Sequence, residues 1–541
     1  MGHDLRINRR QFIEMGASSI AAASASGFLL GCAGQALEKP TTAAVVPSAD
    51  APRVSYFSRF GVDEGMIRDA LAEALSRGAD HADLFFQHRV TNGLQLEDGE
   101  VNRAYTRVEL GVGVRVVRGD QTGYAYTEEL TREAIKRAAQ TAAAVADGPA
   151  RPGPTVLAVG AALPQRYALD VPWDGIKPAQ KLPILDGVNA AVFKADGRIK
   201  KVSVSFMDEA GAILIADSQG RLVEDFQPMT TLYVSCVAEQ GGRKETNGYN
   251  VAGRRGFDFY SAETVGRVVR EAVARTTVLF DAVPAPAGEM PVVLGAGSSG
   301  ILLHEAIGHG MEADFNRKGV SIYADKIGKP IAKPFVNIVD DAAQPYARGA
   351  INVDDEGNPA GTTTLVDRGV LATYMHDSIS AKHYGLKPTG NGRRQSYQHP
   401  PMPRMRATYM LPGPHEHDEI VASVKRGIYC QSFSNGQVQI GAGDFTFYVK
   451  NGFLIEDGKL TRPIKDVNII GNGPKVLERI DMVGKDLVID EGGWTCGKDV
   501  QSVPVSQGIP TVRVSSITVG GQGGTPSAPT KGQGDKASAK G

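Results

Sequence analysis

Apolar residues recur at helical spacing in several stretches of the N-terminal half and predict amphipathic helices there. Ile67 and Leu71 lie on one face of the first helix, which we expect to end near Gly78. Thr127 is the expected N-cap of a second helix and Ser261 that of a third, because a hydroxyl side chain can accept a backbone N–H of the first turn.

Between these helices, and through most of the C-terminal half, apolar and polar residues alternate with a period of two, which predicts β-strands. Five dipeptides of the kind that favours tight hairpin turns punctuate these stretches: Asn92-Gly93, Asp98-Gly99, Gly119-Asp120, Asn451-Gly452 and Asp457-Gly458. Neighbouring strands are therefore expected to pair in antiparallel fashion.

The whole pattern predicts an α+β fold, in which an antiparallel, β-rich two-domain protein carries flanking helices. Proline-rich stretches near residues 149–154 and 283–286 mark two boundaries. The expected units are an N-terminal α+β domain at 55–154, a central α+β region at 155–287, a C-terminal β-rich domain at 288–521 and a disordered Gly/Ser/Pro/Lys tail at 522–541.

Composition and charge exclude several classes of protein. The 541 residues contain 59 Lys and Arg against 60 Asp and Glu, a formal net charge of −1 that offers no general attraction for nucleic acid. Apolar residues at 42% and charged residues at 22% are ordinary globular values, which argue against wholesale disorder and against a polytopic membrane protein.

The first residues have the pattern of an export signal. Arg9 and Arg10 precede a mildly apolar stretch at 12–30, an arrangement similar to twin-arginine signals. Leu29 to Cys32 resembles a lipobox, so Cys32 is a candidate for lipidation and membrane anchoring; the alternative is a plain cleaved signal. We expect a signal at 1–31, a linker at 32–54 and an exported protein, periplasmic or membrane-anchored, or a cytoplasmic one if the segment is no signal.

The most informative motif places His304, Glu305 and His309 on a predicted helix. Histidines in the familiar zinc motif are four residues apart, whereas a five-residue step leaves them ~140° apart on an ideal helix. Sharing a metal therefore requires a π-bulge or a helix end, and we predict one at Gly308–His309. The alternative is two unconnected polar residues on an amphipathic helix.

A zinc site usually needs a third protein ligand. Cys496 lies in a glycine-rich turn, where the backbone can approach another element closely. Other candidates are the remaining cysteines, His376, His383, His399 and the His415 to His417 run. Two imidazoles and one thiolate would leave one Zn²⁺ position for water, the arrangement of a catalytic rather than a structural site.

The loop at 385–409 is rich in arginine, glycine and proline and includes Arg394, Arg404 and Arg406. The simpler interpretation is a solvated surface loop. The alternative hypothesis is that these arginines grip a substrate carboxylate or backbone near the metal.

Several longer stretches together resemble the TldD branch of the TldD/PmbA metalloprotease family. The resemblance covers nearly everything from about residue 55 to 521, and the motifs that carry it include Gly111 to Val117, Val293 to Gly295, Leu302 to Gly310, Asp314 to Arg317, Thr408 to Gly413, Cys496 to Lys498 and Gln501 to Val505. The resemblance implies a TldD/PmbA-like fold and a zinc peptidase in which His304, His309 and Cys496 bind the metal and Glu305 is the base.

The resemblance further implies that unfolded or flexible polypeptides are hydrolysed in an enclosed site, and that the chain pairs with a homologous PmbA-like subunit or with a second copy of itself. The export signal departs from the family, whose familiar TldD members look cytoplasmic. An alternative function is an exported lipoprotein that binds peptides or a partner and holds zinc only for structure.

Overall fold

The structure is a computed structural model and describes residues 56–160 and 162–521. The expected export signal, the linker with Cys32 and the tail at 522–541 lie outside the described residues. Among the helices that are described, none is long and apolar enough to cross a membrane.

A large, mainly antiparallel sheet forms the first half of the described chain. Its strands are β1 (His81–Glu97), β2 (Glu100–Arg118), β3 (Gln121–Thr127), β4 (Ala158–Val159), β5 (Ile199–Asp217), β6 (Arg221–Gln240) and β7 (Arg243–Gly253). They follow the order β3-β2-β1-β5-β6-β4, with β7 also paired to β6. Because β1 pairs with β5, one sheet crosses the expected boundary near residue 154; that boundary stays a prediction.

Helices cover this sheet and continue into the C-terminal half. They are α1 (Glu64–Ala74), α2 (Arg132–Ala143), α3 (Pro178–Ala195), α4 (Ala262–Thr277), α5 (Ile301–Leu303), α6 (Ala313–Arg317), α7 (Ser378–Tyr384), α8 (His417–Ala422) and α9 (Gly473–Arg479). The prediction that Ser261 caps α4 is confirmed, since its side chain accepts the Thr264 N–H. The Thr127 cap was wrong: β3 runs through Thr127, and Thr131 caps α2 instead.

Three of the five predicted hairpin turns are present in the structure and two are not. Asp98-Gly99, Gly119-Asp120 and Asp457-Gly458 lie between strands, as predicted. Asn92-Gly93 and Asn451-Gly452 were wrong, because both lie inside long strands. At Gly93 the ring of Tyr105 on the paired strand lies only 2.2 Å from where a Cβ would stand, so a close approach explains this glycine.

The C-terminal half is built from short strands. They are β8 (Val283–Pro284), β9 (Gly288–Leu294), β10 (Ile338–Asp341), β11 (Thr362–Asp367), β12 (Val370–Leu371), β13 (Gly392–Arg393), β14 (Met402–Pro403), β15 (Ala407–Met410), β16 (Arg426–Gln439), β17 (Asp444–Glu456), β18 (Lys459–Lys465), β19 (Val467–Asn472), β20 (Ile480–Val483), β21 (Val488–Ile489), β22 (Thr495–Lys498), β23 (Gln501–Pro504), β24 (Ser506–Ile509) and β25 (Val512–Gly520).

Pairing closes part of this half into a small barrel. One sheet runs β16-β9-β25-β19-β17-β18-β8, and an additional β16–β17 pairing joins the strands into a ring. A second sheet follows the order β12-β11-β10-β15-β24-β21, while β22 and β23 form a separate hairpin. The predicted α+β class with antiparallel-rich sheets is confirmed.

Candidate metal centre

The segment that follows β9 carries the two motif histidines and is not a regular α-helix. After the short helix α5, residues His304–Gly308 form a π-helical turn, and His309–Met311 form a 3₁₀ turn. The predicted bulge is confirmed. A π turn holds one residue more than an α turn, so the five-residue step brings both imidazoles together, with ring centroids 5.1 Å apart.

Two glycines allow this turn to pack closely. A Cβ at Gly308 would lie 2.0 Å from the Met405 sulfur, and one at Gly310 would lie 2.6 Å from the Tyr323 ring. Met405 and Tyr323 are themselves buried. The glycines therefore flank His309 because a larger residue would force the segment away from its neighbours.

Cys496 reaches the histidines from the β22–β23 hairpin. Its Sγ lies 3.4 Å from Nε2 of His309, a residue 187 positions earlier in the chain. One donor atom from each of His304, His309 and Cys496 falls within 4.8 Å of the others, and all three residues are buried. Among the described residues, His304, His309 and Cys496 form the one group of three or more His, Cys, Asp or Glu side chains that are close enough together to hold a metal ion.

The charges around these donors favour the ligand form of the thiol. Burial alone would raise the pKa of Cys496, but His304 and His309 outweigh burial and hold that pKa well below its ordinary value. Burial would likewise lower the pKa of His309, yet the charges of Glu312 and Cys496 raise it well above its usual range. The arrangement thus stabilises a thiolate beside a charged imidazole, and a metal ion that binds there would release the imidazole proton.

This donor set fits a zinc ion, because imidazole nitrogen and thiolate sulfur are preferred zinc ligands. The fit is supported by Nδ1 of His304, which is buried and has no hydrogen-bond partner among the described residues. A divalent cation held by these donors would offset the thiolate charge.

Glu305 lies at the edge of a cavity of about 270 Å³. His304 lines the same cavity, as do Trp494 and Thr495, the two residues that precede Cys496, and Gln507 from β24. Glu305 is partly exposed, whereas the three donors are buried. A molecule in the cavity would therefore meet both the Glu305 side chain and His304, one of the three donors.

The three candidate substrate-binding arginines are buried, so the interpretation of a solvated surface loop was wrong for them. Arg394 is 4% exposed, and Arg404 and Arg406 are 0% exposed. Composition misled here because glycine and proline usually indicate exposed loops, whereas in this segment the guanidinium groups find internal acceptors.

Each arginine has a different internal acceptor. Arg394 donates to Asp83 on β1 at 3.2 Å, and Arg406 donates to Asp340 on β10 at 2.7 Å. Arg404 donates to the backbone carbonyl of Cys496 at 2.6 Å, which places its guanidinium beside the donor cluster. That any of them grips a substrate stays a prediction.

The other candidate ligands lie apart from the donor cluster. His376 is buried beside the rings of Tyr374 and Tyr384, and burial lowers its pKa to about 4. His399 contacts Ser396, and His417 contacts the hydroxyl of Thr511.

The sequence reasoning missed Glu312 and Lys498, which surround the cluster. Glu312 Oε2 lies 3.0 Å from Nδ1 of His309 and 3.2 Å from Nζ of Lys498. Two signals were available in the sequence: Glu312 follows His309 by three residues, and Lys498 shares a strand face with Cys496 two positions earlier.

Models of known protein families match three stretches of the chain. Models of three PmbA/TldA metallopeptidase domains match the chain, with domain 1 over residues 82–146, the central domain over 171–280 and the C-terminal domain over 287–521. The C-terminal match contains the whole donor cluster and Glu305.

Individual relatives match more than four fifths of the chain. The metalloprotease TldD homolog of Haemophilus influenzae is 40% identical over 451 residues, 82% of this chain and 94% of the relative. The zinc metalloprotease TldD homolog of Saccharolobus solfataricus is 28% identical over 456 residues, 83% and 99% of the two chains. TldE from Thermococcus kodakarensis shares the fold, with a TM-score of 0.67 at 18% identity over 84% of this chain and 99% of TldE. By these matches the chain belongs to the TldD/PmbA metallopeptidase family.

Proposed function

We propose that this metallopeptidase depends on zinc and hydrolyses unfolded or flexible polypeptides, with His304, His309 and Cys496 as metal ligands and Glu305 as the catalytic base. The observation that carries the proposal is the convergence of three buried donors beside a cavity that Glu305 also lines. A relative named as a zinc metalloprotease supports the choice of metal.

When bound, zinc supplies Lewis-acid chemistry, polarising a carbonyl group and lowering the pKa of water. The Glu305 carboxylate takes a proton from the attacking water and returns it to the leaving amine of the peptide. Buried His304, His309 and Cys496 fix the position of the centre, and Trp494, which lines the cavity, offers the substrate an apolar surface.

The cavity supports a flexible substrate. At about 270 Å³ it holds a few residues of an extended chain and no folded domain. To reach Glu305, a peptide bond must enter this recess, and a bond inside a folded protein cannot do so. We therefore expect cleavage of a chemically unfolded test protein and little cleavage of its folded form.

Two substitutions separate catalysis from metal binding. Glu305→Gln keeps the ligand set, so it should retain zinc while hydrolysis falls by about 10²-fold or more. Cys496→Ser should lose zinc together with activity. The matched control is Glu289→Gln, which makes the same change at an exposed position and should alter neither zinc content nor rate.

Zinc content and the rate on an unstructured polypeptide are measured on the same preparations. Hydrolysis that survives Glu305→Gln would contradict a catalytic role for this carboxylate. A protein that binds zinc and peptide but cleaves nothing would instead favour the exported binding lipoprotein.

We further propose that the active assembly pairs this chain with a PmbA/TldE-like subunit or with a second copy. The support is the fold that the chain shares with TldE. Light scattering of the purified chain, alone and mixed with a PmbA-like protein from the same genome, measures which assembly forms. A strictly monomeric active enzyme would contradict the pairing.

Export through residues 1–31, with Cys32 as the lipidation site, is also a proposal, supported by the arginine pair and the apolar stretch of the sequence. Fractionation of cells and mass measurement of the mature N-terminus test it. An Arg9→Lys/Arg10→Lys variant should remain in the cytoplasm, whereas an unprocessed, cytoplasmic wild-type chain would contradict export.

A further inference from the structure

Glu312 is a fully buried carboxylate that lies behind the donor cluster and not in the cavity. It follows directly on the 3₁₀ turn that carries His309. Its Oε2 lies 3.0 Å from Nδ1 of His309 and 3.2 Å from Nζ of Lys498. A buried carboxylate with these contacts has no path to substrate, so any effect on the reaction acts through the residues that it touches.

The contact with His309 determines which ring nitrogen is free. When Nδ1–H donates to the carboxylate, the lone pair of the neutral ring resides on Nε2. In the structure Nε2 is the atom that faces Cys496, 3.4 Å from its sulfur. Glu312 therefore selects the tautomer whose lone pair points into the donor cluster.

The contact of Glu312 with Lys498 links Glu312 to the strand that carries Cys496, the third donor. Lys498 and Cys496 are two residues apart on β22 and share a strand face. The Lys498 ammonium lies 2.8 Å from Asp314 and 3.0 Å from the carbonyl oxygen of Pro403, in addition to Glu312. This ion pair ties the hairpin that holds Cys496 to the turn that holds His309.

We propose that Glu312 is a positioning residue of the centre: it fixes the His309 ring with Nε2 free and, through Lys498, holds the Cys496 hairpin at ligand distance. The inference rests on the proposed function, since it presupposes a metal bound by these donors. A carboxylate behind a ligating histidine also makes that histidine a stronger ligand, and its loss typically weakens metal binding by about 10- to 100-fold.

The test is zinc affinity, measured by competition with a chelator on metal-stripped protein. Glu312→Gln should weaken zinc binding by about 10- to 100-fold. The matched control is Asp314→Asn, because Asp314 also contacts Lys498 but not His309; its effect should stay within about twofold. Glu312→Asp, which keeps a carboxylate, should restore part of the affinity.

A second variant and a second measurement keep the test decisive. Glu312→Gln leaves the Lys498 charge less compensated, so Glu312→Gln/Lys498→Met removes that charge and should fold while still binding zinc weakly. The ligand-field spectrum of the cobalt-substituted protein should shift in Glu312→Gln and match the wild type in Asp314→Asn, because only the former alters the His309 bond. A residue with a merely structural role would not change this spectrum.

The outcomes separate this inference from the proposed function. If wild-type protein binds no zinc, the proposed function fails and this inference fails with it. If wild type binds zinc and folded Glu312→Gln binds it equally well, only the inference is overturned. Equal losses in Glu312→Gln and Asp314→Asn would also overturn it, since the effect would then not depend on the contact between Glu312 and His309.

Discussion

The buried pair of Arg406 and Asp340 gives a quantitative test of whether the arginine loop is structural. Both side chains are 0% exposed. Asp340 accepts four hydrogen bonds: from Arg406 N at 2.8 Å, Arg406 Nε at 2.7 Å, Asn391 Nδ2 at 2.8 Å and Thr408 Oγ1 at 2.9 Å. Asp340→Asn preserves the shape of the side chain but removes its charge and places an NH2 donor where a carboxylate oxygen accepts from these donors.

We expect Asp340→Asn to destabilise the C-terminal domain by about 3–5 kcal/mol, because the Arg406 charge would stay buried without its partner. Replacing both residues, as Asp340→Leu/Arg406→Met, should cost less than the single change, since no charge is then left unpaired. The control is Asp69→Asn, which breaks a surface pair with Arg132 and should cost about 0–1 kcal/mol.

The assay is urea unfolding followed by the fluorescence of Trp494, which lies in the same domain. The sequence has two tryptophans, so a Trp173→Phe background leaves this one reporter. A loss below about 1 kcal/mol for Asp340→Asn would refute the reasoning. A raised KM for peptide with unchanged stability would show instead that Arg406 serves the substrate.

Three further predictions follow from individual contacts. Val500 is fully exposed at φ +61°, so Val500→Gly should stabilise the protein by about 1 kcal/mol in urea unfolding, whereas Val108→Gly in β2 should destabilise it. Gly308→Ala should lower the free energy of unfolding by about 1–3 kcal/mol and reduce the zinc content found by metal analysis, because the added Cβ would collide with the Met405 sulfur. Adding Met405→Ala to this variant should restore part of the stability and part of the zinc content. Burial, with the nearby charge of Glu356, raises the pKa of Asp354 from 3.8 to about 7. Between these two pH values the folded protein holds a proton on Asp354 that the unfolded chain has lost, so the free energy of unfolding should fall as the pH rises through this interval. In thermal unfolding at several pH values, Asp354→Asn should flatten that fall, and an unchanged slope would contradict the assignment.

Local chemistry explains what the sequence could predict. The five-residue step between His304 and His309 required an irregular turn, because a regular helix separates the rings. The turns at Asp98-Gly99 and Asp457-Gly458 followed from the ease with which both residues adopt positive φ. In each case the deciding interaction is contained within a few consecutive residues.

What the sequence could not show depends on distant residues. Asn92-Gly93 has the sequence of a turn, but the reason for this glycine is its contact with Tyr105 on the next strand, which the local sequence does not show. The arginines were expected to be exposed because a charged side chain can be buried only if it has a partner. The partner of Arg406, Asp340, precedes it by 66 positions. No local pattern encodes such a pairing.

The long separation between His309 and Cys496 also affects when the centre can form during synthesis. After His309 has been added to the growing chain, the ribosome must translate 187 further codons before Cys496 is in place. The three donors can therefore meet only after most of the C-terminal domain has been translated.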